Sequence, residues 1–279
     1  ALISRNEERL ARLRREIDSA GRRAMVLPLD VADAAALEAA ADRIEHALGA
    51  IDVWINNAMV SVFSPVGEMT ADEFRRVTEV TYLGSVYGTM AALRRMKARN
   101  RGSIVIVGSA LAYRGIPLQS AYCAAKHALK GFNDSLQAEL LHGRSRVRVT
   151  MVQLSAFNTP QFDWARSRLP RKAQPMPPVF QPELAARAIV WAAKHGGHEV
   201  TVGFPALRAI WASKLFPRLV DRYLAKFGYE GQQSGEAKDP QAPDNLWQSV
   251  DGPYGAHGRF DSVAKTRSVQ FWLRSIVHD

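Results

Sequence analysis

Two kinds of hydrophobic run alternate along the chain. Short stretches rich in β-branched and aliphatic residues, at 24–29, 51–55, 102–107, 147–152 and 199–202, have the length and composition of buried strands. Between them lie longer stretches, at 7–19, 33–48, 70–99, 120–141 and 183–194, where apolar residues recur every three or four positions, as on one face of a helix. The punctuation agrees with the periodicity. Gly21 closes the first helix, Asp33 can cap the second with Gly49 behind it, and Thr70-x-x-Glu73 has the form of a capping box. Residues 1–4 read as the end of a further strand, 159–169 as a loop with a short helix, and 171–182 as a Pro-rich linker. Strands alternating with helices predict an α/β fold with a doubly wound parallel sheet.

After Pro205 the pattern changes. Leu207, Ile210, Trp211, Leu215, Leu219, Tyr223 and Phe227 repeat mostly at three or four, with Arg208, Lys214, Arg218, Arg222 and Lys226 between them and a break at Pro217. This basic amphipathic segment predicts a helix packed over the domain; a pocket lid and a membrane-surface contact are the alternatives. Residues 232–260, rich in Gly, Pro, Gln and Asp, read as loop or partly disordered, and 269–277, with Phe271 and Trp272, as a terminal tethering helix. The division expected is a domain over 1–204 and an extension over 205–279.

Composition narrows the class. With 279 residues and 47% hydrophobic content the chain can bury a core of α/β size. It has no run of 18 apolar residues, so no spanning helix is expected. A single cysteine, Cys123, excludes an internal disulfide framework and suits a reducing, cytoplasmic setting, with a peripheral membrane location as the variant. His195-x-x-His198 encloses two glycines and reads as a turn, so no metal site is expected. The net charge of +10 is spread over many helices; it reads as solvated charge and not as a nucleic-acid surface.

The chemistry gathers around Ser109, Tyr122 and Lys126. Tyr122 and Lys126 are four apart at the start of a predicted helix, hence on one face, and Ser109 closes the strand before it. Ligands of open α/β sheets bind at such strand ends. The spacing alone is a weak motif; its setting gives it weight. A hydroxyl, a phenol and an ammonium converging there suit proton transfer to or from a carbonyl or alcohol oxygen.

Together with Asp30-Val31, Asn56-Asn57-Ala58 and the segment 154–160, these residues resemble the short-chain dehydrogenase/reductase family, in its single-domain Tyr-x-x-x-Lys branch, over residues 1–204. The resemblance implies a Rossmann-like domain and hydride transfer between a nicotinamide and a carbonyl carbon. It implies Tyr122 as general acid or base, Ser109 as the group that orients the substrate oxygen, and Lys126 as the ammonium that favours the phenolate and bonds the nicotinamide ribose. Cofactor contacts are expected from Ser4, Arg5, Asp30, Val31, Asn57, Ala58, Tyr122, Lys126 and Thr159. Ser4-Arg5 at a strand end, in place of an acidic residue, favours NADP(H), with NAD(H) as the alternative. Met59 replaces the last glycine of the family's Asn-Asn-Ala-Gly motif, and Thr81 stands where the family has a relay Asn. A homodimer or homotetramer is also implied. The flanking residues Leu111, Tyr113, Ile116, Phe157, Phe162 and Trp164 suggest an apolar pocket for a lipophilic ketone or secondary alcohol. The alternative is a non-catalytic binding or scaffold protein of the same fold. The family's first strand and Gly-rich phosphate loop would precede Ala1. We therefore expect a piece of a longer chain, short by one βα unit of roughly 30 residues, with the strands ending at Ser4 and Ile55 each missing a neighbour. A chain that begins at Ala1 is expected to bind cofactor poorly.

Overall fold

A computed structural model describes residues 1–276. In chain order its elements are β1 (Leu2–Ser4), α1 (Glu7–Ser19), β2 (Val26–Pro28), α2 (Ala34–Leu48), β3 (Val53–Asn56), β4 (Val62–Phe63), α3 (Ala71–Val77), α4 (Gly84–Ala98), β5 (Gly102–Val107) and α5 (Ser120–His142). There follow β6 (Val147–Leu154), β7 (Ala156–Phe157), α6 (Gln161–Trp164), β8 (Arg166–Ser167), β9 (Arg171–Ala173), β10 (Val179–Phe180), α7 (Pro182–His195) and β11 (Glu199–Val202). The last elements are α8 (Phe204–Leu215), α9 (Pro217–Phe227), β12 (Gln233–Ala237) and α10 (Val269–Ile276). Val277, the last residue of the predicted terminal helix, lies outside the described residues.

The central sheet is wholly parallel, in the order β11-β6-β5-β3, and β1 pairs with β2 in a separate parallel ribbon. Alternation along β5 explains why helices cover both faces. Ile104 and Ile106 join a core formed with α2, α4 and α5, through Leu37, Ala91, Ala92, Met96, Leu129 and Leu136. Val105 points the other way, into a core with Leu184, Ala188 and Trp191 of α7 and Phe271 of α10. Period-two strands buried on both faces are what a doubly wound α/β sheet demands. α4 approaches β3 closely because Gly88 has no side chain; a Cβ there would lie 2.4 Å from Asn56 Oδ1. That amide in turn accepts from Trp54 Nε1 and donates to Thr89, tying strand to helix.

Local signals set several boundaries. Asp33 accepts from the Ala36 amide at 2.9 Å, and Gly49 follows the helix with φ of +88°. Thr70 and Glu73 close both halves of the capping box. The long helical stretch expected over 70–99 is, however, divided by a π turn over 78–83. One further segment differs from the sequence expectation: the Pro-rich linker carries two strands, and one of them, β9, pairs antiparallel with β12. Residues 232–260 are mostly loop, as expected, apart from β12, but Leu246 and Val250 within them are buried. Leu246 enters a core with Val60, Val62, Val77, Val80 and Ala121.

Glu73 is the buried anchor of this region. Burial pushes its carboxyl up, but hydrogen bonds from Arg168 and the Thr70 amide, with the charges of Arg168 and Arg166, outweigh it and hold the group below its usual range. Its stabilisation is complete above the ordinary carboxylate value and is lost as pH falls through the depressed one. Glu73→Gln is therefore expected to cost about 1–3 kcal/mol at neutral pH, and less in acid. Urea unfolding at two pH values checks both the size and the trend.

Candidate active site

Ser109 leaves the C-terminal end of β5 in an extended conformation, and its Oγ accepts from the Leu111 amide at 3.1 Å, capping a short turn over 110–112. After the loop that follows, α5 begins at Ser120 and places Tyr122 and Lys126 in successive turns on one face. The Lys126 ammonium is buried, donates to the Val107 carbonyl at 2.7 Å, and lies 5.6 Å from the centre of the Tyr122 ring. Burial lowers the Lys126 amine to about 8. Burial also pushes the Tyr122 phenol up, and its hydrogen bond with Ser109 only partly offsets this. At the phenol, desolvation by burial outweighs the Ser109 hydrogen bond, while the Lys126 ammonium is engaged by the Val107 carbonyl.

Two cavities meet at this trio. A polar one of about 400 Å³ takes in every residue expected at the cofactor: Ser4, Arg5, Asp30, Val31, Asn57, Ala58, Tyr122, Lys126 and Thr159, and Ser109 as well. An apolar one of about 630 Å³ is lined by Leu111, Ile116, Phe162 and Leu224 among others. Ser109 and Tyr122 belong to the walls of both. Of the other residues expected around a substrate, Phe157 and Trp164 line the polar cavity. Tyr113 lines neither: the turn after Ser109 swings it away, and its hydroxyl donates to Glu199.

The polar cavity has a wall that the sequence did not reveal. Residues 245–251 run as a strap along its outer end. Arg5 donates to the carbonyls of Asn245, Leu246 and Trp247, at 2.5, 3.4 and 2.8 Å. Asn6 donates to Ser249 and Asp251, and Arg9 to the Val250 carbonyl. Asp30 is paired with the buried Arg76, which also donates to the Leu246 carbonyl at 3.0 Å. Arg5, expected to meet a phosphate, is in this structure satisfied by the strap. Further along, Asn158 fixes the loop that carries Thr159: it donates to Gln181 and Asp261 and accepts from the Phe260 amide. Each of these contacts joins residues far apart in the chain, so no spacing announces them.

Thr81 is fully buried in the π turn, where its hydroxyl accepts from the Val60 amide and donates to the Val60 carbonyl, at 3.1 and 2.9 Å. Its side chain is therefore a clasp between that turn and the segment after Ala58.

The family model for short chain dehydrogenases matches residues 1–169. An uncharacterized oxidoreductase, YxnA, of Bacillus subtilis is 31% identical over 274 residues, which cover 98% of this chain and 76% of that protein. Animal relatives are matched over shorter shares of their length, 34% and 50% in two of them. A short-chain dehydrogenase from Streptomyces avermitilis superposes with a TM-score of 0.65 at 23% identity, covering 81% of this chain and 85% of its own. A gluconate 5-dehydrogenase from Burkholderia cenocepacia, solved with NADP and tartrate, superposes with a TM-score of 0.53 at 27% identity, covering 57% and 62%.

Proposed function

The chain belongs to the short-chain dehydrogenase family, and from that premise we propose that this oxidoreductase reduces an apolar ketone, or oxidises the matching secondary alcohol, with NADP(H). One observation carries the reading: Ser109 and Tyr122 stand in the common wall of a polar and an apolar cavity. A carbonyl carbon held in the apolar cavity faces the polar one across these two hydroxyls.

Bound in the polar cavity, the nicotinamide would supply or accept the hydride. The chain's own residues handle the proton and the charge. The raised Tyr122 phenol is a proton donor at neutral pH, which suits the reductive direction: it passes its proton to the oxygen that becomes the alcohol. Ser109 donates a hydrogen bond to the same oxygen as charge develops there. Lys126, one turn from Tyr122, presents a cation at the inner end of the polar cavity. At the outer end Ser4 carries no charge, Arg5 is cationic, and the Asp30 carboxylate is paired with Arg76, an arrangement that favours a 2′-phosphate. The NADP in the Burkholderia enzyme is consistent with this choice. The Arg5 guanidinium would exchange the three strap carbonyls for phosphate oxygens.

Consumption of NADPH and of NADH is to be followed with a panel of steroid, retinoid and aliphatic ketones. NADPH should be preferred by about tenfold or more in kcat/KM, and Arg5→Ala should remove most of that preference, since a charged hydrogen-bond donor is lost. Equal use of the two cofactors would point to a strap that keeps Arg5, and a preference for NADH would replace NADP(H) by NAD(H). Binding of cofactor with no turnover of any carbonyl would favour the non-catalytic alternative.

A further inference from the structure

α8 and α9 turn two faces to two environments. Inward, Arg208, Ala212 and Ser213 of α8 and Val220, Tyr223 and Leu224 of α9 wall the apolar cavity. Outward, Trp211, Leu215, Phe216, Leu219 and Phe227 are 47–64% exposed, and Tyr223 stands at the rim, partly exposed as well. Leu219, Tyr223 and Phe227 form one stripe along α9, at intervals of four, and Arg218, Arg222 and Lys226 form the stripe beside it. α9 therefore carries more apolar surface than its packing on the domain consumes. Contiguous apolar surface of this kind marks an interaction site.

The charge selects the occupant. Residues 204–227 hold five cations, Arg208, Lys214, Arg218, Arg222 and Lys226, and one carboxylate, Asp221, which is already paired with Arg114. All five cations are exposed. A second copy of the chain would bring the same cations against these, a repulsive juxtaposition. An anionic bilayer accepts both components: aromatic and leucine side chains enter the boundary between headgroups and acyl chains, and Lys and Arg remain among the headgroups. Among the described residues no helix is long and apolar enough to cross a membrane, so the contact is with the surface.

We propose that the α8–α9 face docks on an anionic lipid surface. This seats the wall of the apolar cavity against the bilayer, the phase in which a lipophilic carbonyl dissolves. The docking stands on the exposed face itself; only the identity of the molecule delivered rests on the reductase reading.

Co-sedimentation of the protein with phosphatidylcholine vesicles, with and without phosphatidylserine, tests it. Binding is expected to the anionic vesicles and to weaken with added salt. Arg218→Gln, Arg222→Gln and Lys226→Gln combined should weaken it about a hundredfold, from the contribution of each basic residue near a charged surface. Leu219→Ser with Phe227→Ser should weaken it by about tenfold or more. Neither set lines the cavities, so both should leave turnover of a water-soluble ketone, measured without vesicles, unchanged. No binding to anionic vesicles, or binding untouched by both sets, overturns the proposal. So does a dimer in solution that Leu219→Ser with Phe227→Ser converts to monomer. Tyr122→Phe serves as the separating control: it should retain vesicle binding, so a failure of the chemistry and a failure of docking are read on different variants.

Discussion

Tyr122→Phe should lower turnover by about 10²–10⁴-fold, the usual contribution of a positioned proton donor, while leaving the fold and cofactor binding intact. The substitution removes one hydroxyl and keeps the ring that packs against the Val60–Leu246 core. Its effect is thus confined to the group that both cavities share. NADPH absorbance gives the rate, NADPH fluorescence the affinity, and thermal melting the stability. A variant that keeps nearly all its turnover would leave the proton to another donor. The pH profile carries a second mark. The buried Lys126 amine is held at about 8 in the free protein, so its charge is present below that value and lost above it. The reductive kcat/KM should therefore fall on the alkaline side of about 8, and Lys126→Met should remove that limb together with much of the rate.

Leu246→Ala should cost about 2–5 kcal/mol, the range for emptying a fully buried leucine site. The loss should also be directional. Leu246 is the apolar pin of the strap, and the carbonyls that occupy Arg5 belong to it and its two neighbours. Weakening the pin should raise hydrogen exchange over 245–251 before other regions respond. It should also lower the KM for NADPH relative to that for NADH, because the guanidinium gains freedom to meet a 2′-phosphate. Urea unfolding, hydrogen exchange and the two KM values decide between this and a strap that only closes the domain. In the latter case both cofactors would respond alike.

What the sequence made legible was local. The ends of α2 follow from Asp33 and Gly49, and the start of α3 from Thr70 and Glu73, because cap and partner lie within four residues of each other. Ser109, Tyr122 and Lys126 were readable because a strand end and one helical turn are enough to bring them together. The failures are equally physical. The strap is loop, as its composition implied, but its anchoring was hidden: Leu246 and Val250 are isolated apolar residues in a polar stretch, and their partners lie far back in the chain. Arg76 gave no sign that it would be buried on Asp30, since an arginine in a helix normally reaches solvent. Tyr113 was misplaced because one short turn after Ser109 decides which cavity a side chain faces.

The π turn over 78–83 has a consequence for how sequences of this kind are compared. It holds one residue more than an α-helical frame needs, and the widened turn absorbs that residue, so α4 keeps its angular phase. Deleting the extra residue would close the π turn to an α turn and leave Gly88 facing Asn56. Deleting a residue within α4 itself would instead rotate everything after it by about 100°. A single-residue gap aligned to 78–83 is therefore a π turn drawn in to an α turn, and not a shortened loop or a rotated helix.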